Sequence, residues 1–411
     1  MNYLITKPEK AINTQLKLTS SKSISNRVLI IQALSDEKFN IENIAEAQDT
    51  VQLKNILHNK LTNIINAGEG GTTYRFLTAL LSITKGEWIL TGAERIKERP
   101  VKILVDGLKQ LGADIEYLEK EGYPPLKIKG KTLDKGKLSI DGSISSQFIS
   151  AILMISPKLK NGLELKIENK LLSKPYIEMT LNIMKYFGVN YEWQKDTIKI
   201  QPQKYKAKNF TVEADWSSAS YWYEIASLSQ NAIIRLEGLS ENSLQGDSVV
   251  AKIFEKLGVR TTYFDNSIVI EKVNEIENIL FNYDFINCPD LVQTIAATCC
   301  GLNINGTFKG TDNLNIKETD RVKALKSELF KFDCSIEYSD NKSFKLTSKK
   351  GNKILNNKIE TYNDHRIALS FAPLCLQYGS INIKNPKVVE KSYPNYWNDL
   401  KKAGFKIESY E

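Results

Sequence analysis

Histidine is nearly absent from this chain: His58 and His365 are the only two among 411 residues. That excludes a zinc centre of three histidines, and no Cys/His spacing stands in for it. Cysteine is scarce too. Cys288, Cys299, Cys300, Cys334 and Cys375 make five, an odd number without a C-x-x-C pair. They read as buried thiols of a reducing compartment, not as a disulfide framework. No uninterrupted apolar run is long enough to span a bilayer, and the opening MNYLITKPEK lacks the apolar core of a signal peptide. The expectation is a cytoplasmic protein with no membrane partner. There is also no zinc finger, no basic tail and no basic run interleaved with aromatics. The net charge of +8 therefore points less to nucleic acid than to an active site for polyanionic small molecules. Compositional drift toward lysine explains part of it.

What is present is ordinary globular material, 42 % apolar and 25 % charged, long enough for two or three domains. Several segments share one grammar, an amphipathic helix, a small turn and two alternating strands. They include VDGLKQLGADIEYLEKEGYPPLKIKG, LNIMKYFGVNYEWQKDTIKIQP, VAKIFEKLGVRTTYFDNSIVIEK and ALKSELFKFDCSIEYSDNKSFKLTS, with NDLKKAGFKIESYE as a truncated last copy. The turns fall at Gly112, Gly188, Gly258, Asp333 and Gly404, so the steps are 76, 70, 75 and 71 residues by subtraction. Glycine after the last helical turn suits a left-handed cap. Near-equal steps of this size indicate repeated α/β units, each with a helix to bury.

Polar residues collect where the helices should start. SSKSISNR, Ser20 to Arg27, puts Lys22 and Arg27 among serines before the apolar run VLIIQAL. Taken alone, it reads first as a capped surface helix. A helix start also suits an anion, and two cations and several hydroxyls strengthen that. NAGEGGTTYRFL places a Gly70-Gly71-Thr72-Thr73 turn before an apolar run with Arg75 in its first turn. It lacks the ending of a Walker A loop. Arg99 precedes Pro100, a good first-turn residue. Ser145, Ser146 and Gln147 precede one apolar helix, and Ser173 and Tyr176 introduce another.

The second half adds carboxylates. Asp290 stands at a helix start in NCPDLVQTIAATCCG, where the plain reading is a capping acid. Lys317, Glu318, Asp320 and Arg321 crowd another start, where Val322 spoils a capping box on Thr319. Asp364, His365 and Arg366 precede an apolar helix, and Lys391 precedes a proline-containing turn. Arginine grips carboxylates and phosphates bidentately. With no G-x-S-x-G and no cofactor fingerprint, the pattern points to metal-free acid/base chemistry on highly anionic substrates.

Eight motifs in order, SKSISNR, GGTTYRFL, KERP, SSQF, SKPY, NIKETDR, YNDHR and PKVVEKSYP, resemble the EPSP synthase family of enolpyruvyl transferases and span Ser21 to Pro394. The chain has Glu69-Gly70 where the family usually has Asn-Ala, and Phe76 where proline is common. The resemblance implies an α/β fold of two inverse α/β barrels, built from six βαβαββ-type repeats with helix N-termini facing an interdomain cleft. It implies an N-terminal domain over 19–214 and a C-terminal domain of 1–18 plus 215–411. It also implies transfer of the enolpyruvyl group of phosphoenolpyruvate to the 5-hydroxyl of shikimate 3-phosphate, by a monomer with no cofactor and no metal.

By the same resemblance, Lys22 would touch both substrates. Ser23, Arg27, Ser145, Ser146, Gln147, Ser173, Tyr176, Asp290, Asn313 and Lys317 would hold shikimate 3-phosphate. Gly71, Arg99, Gln147, Arg321, Arg366 and Lys391 would hold phosphoenolpyruvate, in a site that also accepts glyphosate. Asp290 would take the hydroxyl proton and Glu318 would handle the proton at C3. The alternatives are the sister transferase acting on UDP-N-acetylglucosamine and a non-catalytic anion-binding relative. The sister enzyme normally has Lys-Asn where Lys22-Ser23 stands, and a loop cysteine, whereas no cysteine precedes Cys288 here.

Overall fold

The structure is a computed structural model that describes residues 1–59, 62–143, 145–273, 276, 279–339, 342–349 and 354–411. It divides into a continuous unit, Ser21–Val212, and a discontinuous unit, Met1–Ser20 with Glu213–Glu411. The chain leaves the discontinuous unit at Ser20 and re-enters it beside that point, where Ser20 and Ala214 form an antiparallel bridge.

Five four-stranded sheets share one connectivity, among the described residues. A parallel pair is extended by two antiparallel strands. In the continuous unit Ile64–Asn66 lies parallel to Gly86–Thr91, which pairs antiparallel with Leu126–Gly130, and that with Asp114–Tyr117. Lys137–Asp141, Leu163–Glu168, Thr197–Ile200 and Glu192–Gln194 repeat the order. In the discontinuous unit it recurs in Ile12–Lys17, Ala232–Glu237, Ser267–Lys272 and Val259–Phe264. It recurs again in Leu280–Asp284, Asn305–Lys309, Ser343–Ser348 and Cys334–Ser339.

The last copy corrects the sequence reading. Its sheet runs Lys358–Ile359, Ser380–Lys384, Asn2–Thr6, Lys406–Tyr410. The strand missing from the truncated segment is supplied by the beginning of the chain. A two-residue pairing of Phe210–Thr211 with Ile41–Glu42 makes a sixth, smaller sheet.

Local chemistry explains these elements. In Leu126–Gly130 the residues alternate buried and exposed, as a sheet with one covered face requires. The helix Lys102–Gln110 buries Leu104, Val105, Gly107 and Leu108 on one stripe. It starts two residues after Pro100, with Val101 as its cap. The helices Gly71–Ile83, Ser146–Ile155 and Trp216–Leu228 are buried nearly all round and are central to their units. In the discontinuous unit Phe285, Phe308 and Phe344 stack face to face, 5.4 and 4.7 Å apart.

Each repeated turn has positive φ: Gly112 (98°), Gly188 (84°), Gly258 (75°), Asp333 (59°) and Gly404 (93°). The left-handed conformation that reverses the helix into its strand is thus common to all five. Only glycine and short polar residues adopt it cheaply.

The cysteines depart from expectation. Cys288, Cys299 and Cys375 are buried free thiols, but Cys300 and Cys334 form a disulfide across 34 residues, with Cα atoms 6.1 Å apart. The end of the helix Val292–Gly301 meets the start of the strand Cys334–Ser339, a meeting that linear spacing does not reveal. Among the described residues no helix is long and apolar enough to cross a membrane.

The turns generate a stability prediction. A Cβ at Gly112 would meet nothing nearer than Asp134 Oδ1 at 3.5 Å, so Gly112→Ala isolates the backbone term. It should cost roughly 1–2 kcal/mol in chemical denaturation. Asp333→Gly should change stability by less than about 1 kcal/mol, because relieved strain is offset by a more flexible unfolded chain. An unchanged midpoint in Gly112→Ala would show that the turn does not depend on its left-handed φ.

Candidate functional site

In the continuous unit the helix Lys22–Leu34 packs against Gln48–His58, Gly71–Ile83, Ser146–Ile155 and Lys174–Tyr186. Contacts join first turns to first turns. Lys22 Nζ pairs with Asp49 Oδ2 at 3.1 Å. The Thr73 hydroxyl donates to the Asp49 carbonyl at 2.9 Å. Arg75 Nη1 donates to Gln147 Oε1 at 2.7 Å, and Arg75 lies over the Phe148 ring. Ser145 caps the Gln147 helix, accepting from the Gln147 N–H at 3.3 Å.

Two glycines make this closeness possible. A Cβ on Gly71 would lie 2.6 Å from Nη1 of both Arg75 and Arg99. A Cβ on Gly70 would lie 2.8 Å from Thr73 Oγ1 and 3.0 Å from Asp49 Cγ. Gly70, one of the two departures in this turn, thus admits the Asp49 side chain that holds Lys22.

Arg27 is drawn in among the helices of the continuous unit. It is 2 % exposed and spans three helices. Its Nε donates to Thr180 Oγ1 (2.6 Å), Nη1 to the Ser23 carbonyl (2.8 Å), and Nη2 to Ser150 Oγ (3.1 Å) and the Tyr176 carbonyl (3.3 Å). The guanidinium lies over Phe76 at 5.4 Å, which gives the second departure a packing role. Burial lowers its pKa to about 10, and Tyr176 acts weakly the other way. Ser146 and Ser173 are buried, and Ser173 holds a left-handed φ of 55° immediately before the helix Lys174–Tyr186. A non-glycine residue in that region is strained, a condition that clusters at binding sites. Ser23, Ser145, Gln147 and Tyr176 are partly exposed.

The discontinuous unit gathers charge. Arg321, 1 % exposed, meets three carboxylates. Nε donates to Asp364 Oδ2 (2.8 Å), Nη1 to Asp290 Oδ1 (2.9 Å), and Nη2 to Glu318 Oε2 (2.8 Å). Burial opposes its charge, but Asp364, Glu318 and Asp290 outweigh that and hold its pKa above the ordinary arginine value. Arg366 Nη2 also pairs with Asp290 Oδ2 at 2.8 Å, while its Nη1 lies 3.3 Å from the Tyr221 hydroxyl and from the Asp290 carbonyl. Lys317 stands 3.9 Å from Asp290. Burial lowers the Lys317 pKa, with Asp290 pulling it back up. Burial alone would raise the pKa of Asp290, but Arg366, Lys317 and Arg321 together hold it well below the usual carboxylate range. Its ionised form therefore adds stability above the ordinary carboxylate pKa, lost only as pH falls below that range.

Asn313 is buried, with Oδ1 unpaired among the described residues. Lys391 Nζ donates to the Asn363 carbonyl at 3.0 Å.

Local caps set these side chains. Asp320, not Thr319, caps the helix Arg321–Phe330, accepting from the Lys323 N–H at 3.1 Å. Asp364 caps the helix His365–Phe371, accepting from the Arg366 N–H at 2.9 Å, and is fully buried against Arg321. Asp290 lies in the 3-10 turn Pro289–Leu291 that feeds the helix Val292–Gly301. Asp49 and Asp364 were not among the expected site residues. Asp364 was visible as a cap in YNDHR; nothing in the sequence ties Asp49 to Lys22, 27 residues away. Among the described residues no cluster of His, Cys, Asp and Glu could hold a metal ion.

Comparison with known proteins supplies the class. The sequence profile described as EPSP synthase (3-phosphoshikimate 1-carboxyvinyltransferase) matches residues 6–63 and 54–400. The chain is 46 % identical over 414 residues to the 3-phosphoshikimate 1-carboxyvinyltransferase of Bacteroides fragilis strain YCH46, covering 99 % of each. It is 36 % identical to the enzyme of that name from Sulfurovum sp. strain NBC37-1, covering 97 % of this chain and 99 % of the other. A solved EPSP synthase from Acinetobacter baumannii has the same fold, with TM-score 0.80 at 19 % identity and full coverage of both chains. The chain belongs to the EPSP synthase family.

The buried pair makes a stability prediction. Removing one partner of such a pair leaves the other uncompensated and typically costs about 3–5 kcal/mol. Asp364→Ala should lower the denaturation midpoint accordingly, since it removes a helix cap as well. A loss below about 1 kcal/mol would mean that Asp290 and Glu318 suffice to hold Arg321.

Proposed function

We propose that the chain transfers the enolpyruvyl group of phosphoenolpyruvate to the 5-hydroxyl of shikimate 3-phosphate, giving 5-enolpyruvylshikimate 3-phosphate and phosphate. Each substrate carries a carboxylate and a phosphate, the latter about −1.5 to −2 near neutrality. The observation that carries the reading is Asp290, ionised and set among Arg321, Arg366 and Lys317.

A carboxylate so stabilised is a weak base. Anions that draw Arg366 and Arg321 toward themselves would lift its basicity when both substrates are present. Asp290 then takes the 5-hydroxyl proton as that oxygen adds to C2 of phosphoenolpyruvate. C3 gains a proton in the same stage, a duty assigned to Glu318. The tetrahedral adduct next loses phosphate and a proton from C3, which restores the double bond.

Lys22 is assigned to both substrates, and Gly71, Arg99, Gln147, Arg321, Arg366 and Lys391 to phosphoenolpyruvate. Ser23, Arg27, Ser145, Ser146, Gln147, Ser173, Tyr176, Asn313 and Lys317 are assigned to shikimate 3-phosphate. Ser146 at the first position of one helix and Ser173 at the cap of another suit its phosphate. Four of Arg27's five N–H donors are engaged inside the protein, so besides its assigned contact it fixes the helices bearing Ser23, Gln147 and Tyr176.

The proposal includes two domains of three repeats each, folded as inverse α/β barrels, with the shared connectivity of the sheets as support. It includes a monomer and a cytoplasmic enzyme without cofactor or nucleic-acid partner.

Phosphate release from phosphoenolpyruvate should require shikimate 3-phosphate and fail with UDP-N-acetylglucosamine. Asp290→Ala and Glu318→Ala should each lower kcat by at least about 10²-fold, the usual reach of general acid/base catalysis. Release with the nucleotide sugar instead, or an unchanged kcat in either variant, would reject the corresponding assignment.

Glyphosate should inhibit competitively with phosphoenolpyruvate. In Gly71→Ala the added methyl must displace Arg75 and Arg99, and overpacking a tight site costs roughly 1–3 kcal/mol, about ten- to hundred-fold in affinity. The glyphosate inhibition constant should rise more than the KM for phosphoenolpyruvate, because glyphosate is the longer ligand. Steady-state inhibition with varied phosphoenolpyruvate reads both; equal losses would remove Gly71 as a wall of that pocket.

A further inference from the structure

Tyr221 lies outside all eight motifs, yet its hydroxyl meets the charge cluster of the discontinuous unit. It sits in the second turn of the helix Trp216–Leu228 and is 1 % exposed. Arg366 Nη1 donates to its hydroxyl at 3.3 Å. The same nitrogen donates to the Asp290 carbonyl at 3.3 Å, and Nη2 pairs with Asp290 Oδ2 at 2.8 Å. The guanidinium is thus held by Tyr221 as well as by Asp290. The Tyr221 ring makes an edge contact with Tyr396, ring centroids 6.1 Å apart. The Tyr396 hydroxyl in turn donates at 3.0 Å to the carbonyl of Leu369, on the helix that carries Arg366.

A chain of buried hydroxyls ties together the helices that deliver these groups. Ser220 Oγ, next to Tyr221 in sequence, lies 3.2 Å from Thr294 Oγ1, and Thr294 Oγ1 lies 3.3 Å from Ser370 Oγ. Thr294 follows Asp290 by four residues and Ser370 follows Arg366 by four, so each marks the turn behind a site residue. Buried hydroxyls are costly to leave unpaired, so the chain resists sliding of one helix past another. Asp290 and Tyr221 grip Arg366 differently. A carboxylate cancels charge, whereas a phenol is a neutral acceptor. Burial keeps the Tyr221 pKa above the ordinary tyrosine value, against the pull of Arg366 and Arg321. The hydroxyl therefore fixes the direction of the guanidinium while leaving its charge for an anion.

We propose that Tyr221 is a positioning residue whose hydroxyl holds the Arg366 guanidinium ready for phosphoenolpyruvate. The inference rests on the assignment of Arg366 to phosphoenolpyruvate, and deepens it by naming the group that prepares that cation. An arginine side chain has many rotamers, and ordering it only when the substrate arrives subtracts from affinity. A guanidinium already held by Tyr221 avoids that cost. The phenol also keeps Arg366 in place while a substrate anion loosens its grip on Asp290, the loosening that the proposed proton transfer requires.

The test is steady-state kinetics of Tyr221→Phe, which removes the hydroxyl and keeps the ring against Tyr396. The KM for phosphoenolpyruvate should rise about tenfold, the scale of one hydrogen bond to a charged group. The kcat and the KM for shikimate 3-phosphate should stay near their wild-type values, a split that a general loss of packing would not produce. Arg366→Lys supplies the second arm, because an ammonium lacks the planar fork that spans Asp290 and Tyr221. In that background Tyr221→Phe should lower kcat/KM for phosphoenolpyruvate far less than it does in the wild type. An unchanged KM for phosphoenolpyruvate in Tyr221→Phe, an equal rise in both KM values, or the same loss in the Arg366→Lys background overturns the role of Tyr221 while phosphate release stands. Absence of phosphate release in the wild type overturns the assigned function and this inference with it.

Discussion

One guanidinium, that of Arg321, organises the charge cluster of the discontinuous unit. Buried with Asp364, Asp290 and Glu318 around it, it is compensated by those three carboxylates, and Asp364 by Arg321 together with the Arg366 N–H that it caps. The contact also fixes positions. Asp364 caps one helix, Arg321 opens another and Asp290 leads into a third, so one charge network sets the relative placement of three helix starts. The energetic demand of burial and the geometry of the proposed catalysis are met by the same contacts.

The continuous unit solves the corresponding problem with little acid. Arg27 is satisfied by hydroxyl and carbonyl oxygens of Ser150, Thr180, Ser23 and Tyr176, and Asp49 holds Lys22. Hydroxyls, glycines and cations at helix starts suit the binding of anions, whereas carboxylates held among cations suit the movement of protons. In the proposed reaction, Arg366 and Lys317 are assigned to the substrates while also holding Asp290.

Asp290 is stabilised by its cations to the point of weak basicity, so its proton affinity has to be restored by whatever draws those cations away. Substrate anions do that in the proposed reaction.

Much was legible in the sequence. The helix–turn–strand units and their five turns follow from local rules, since periodicity and left-handed caps depend on neighbours only. The recurrence of serines and cations before apolar helices was legible for the same reason. What the linear pattern could not supply was pairing across distance. Only the tertiary structure decided that Asn2–Thr6 completes the last sheet, that Cys300 meets Cys334, that Lys22 is held by Asp49 and that Arg27 turns inward. The physical reason is common to all four. Which groups are buried together is fixed by packing among remote elements, and burial decides whether a cation faces a ligand, a carboxylate or a neighbouring helix.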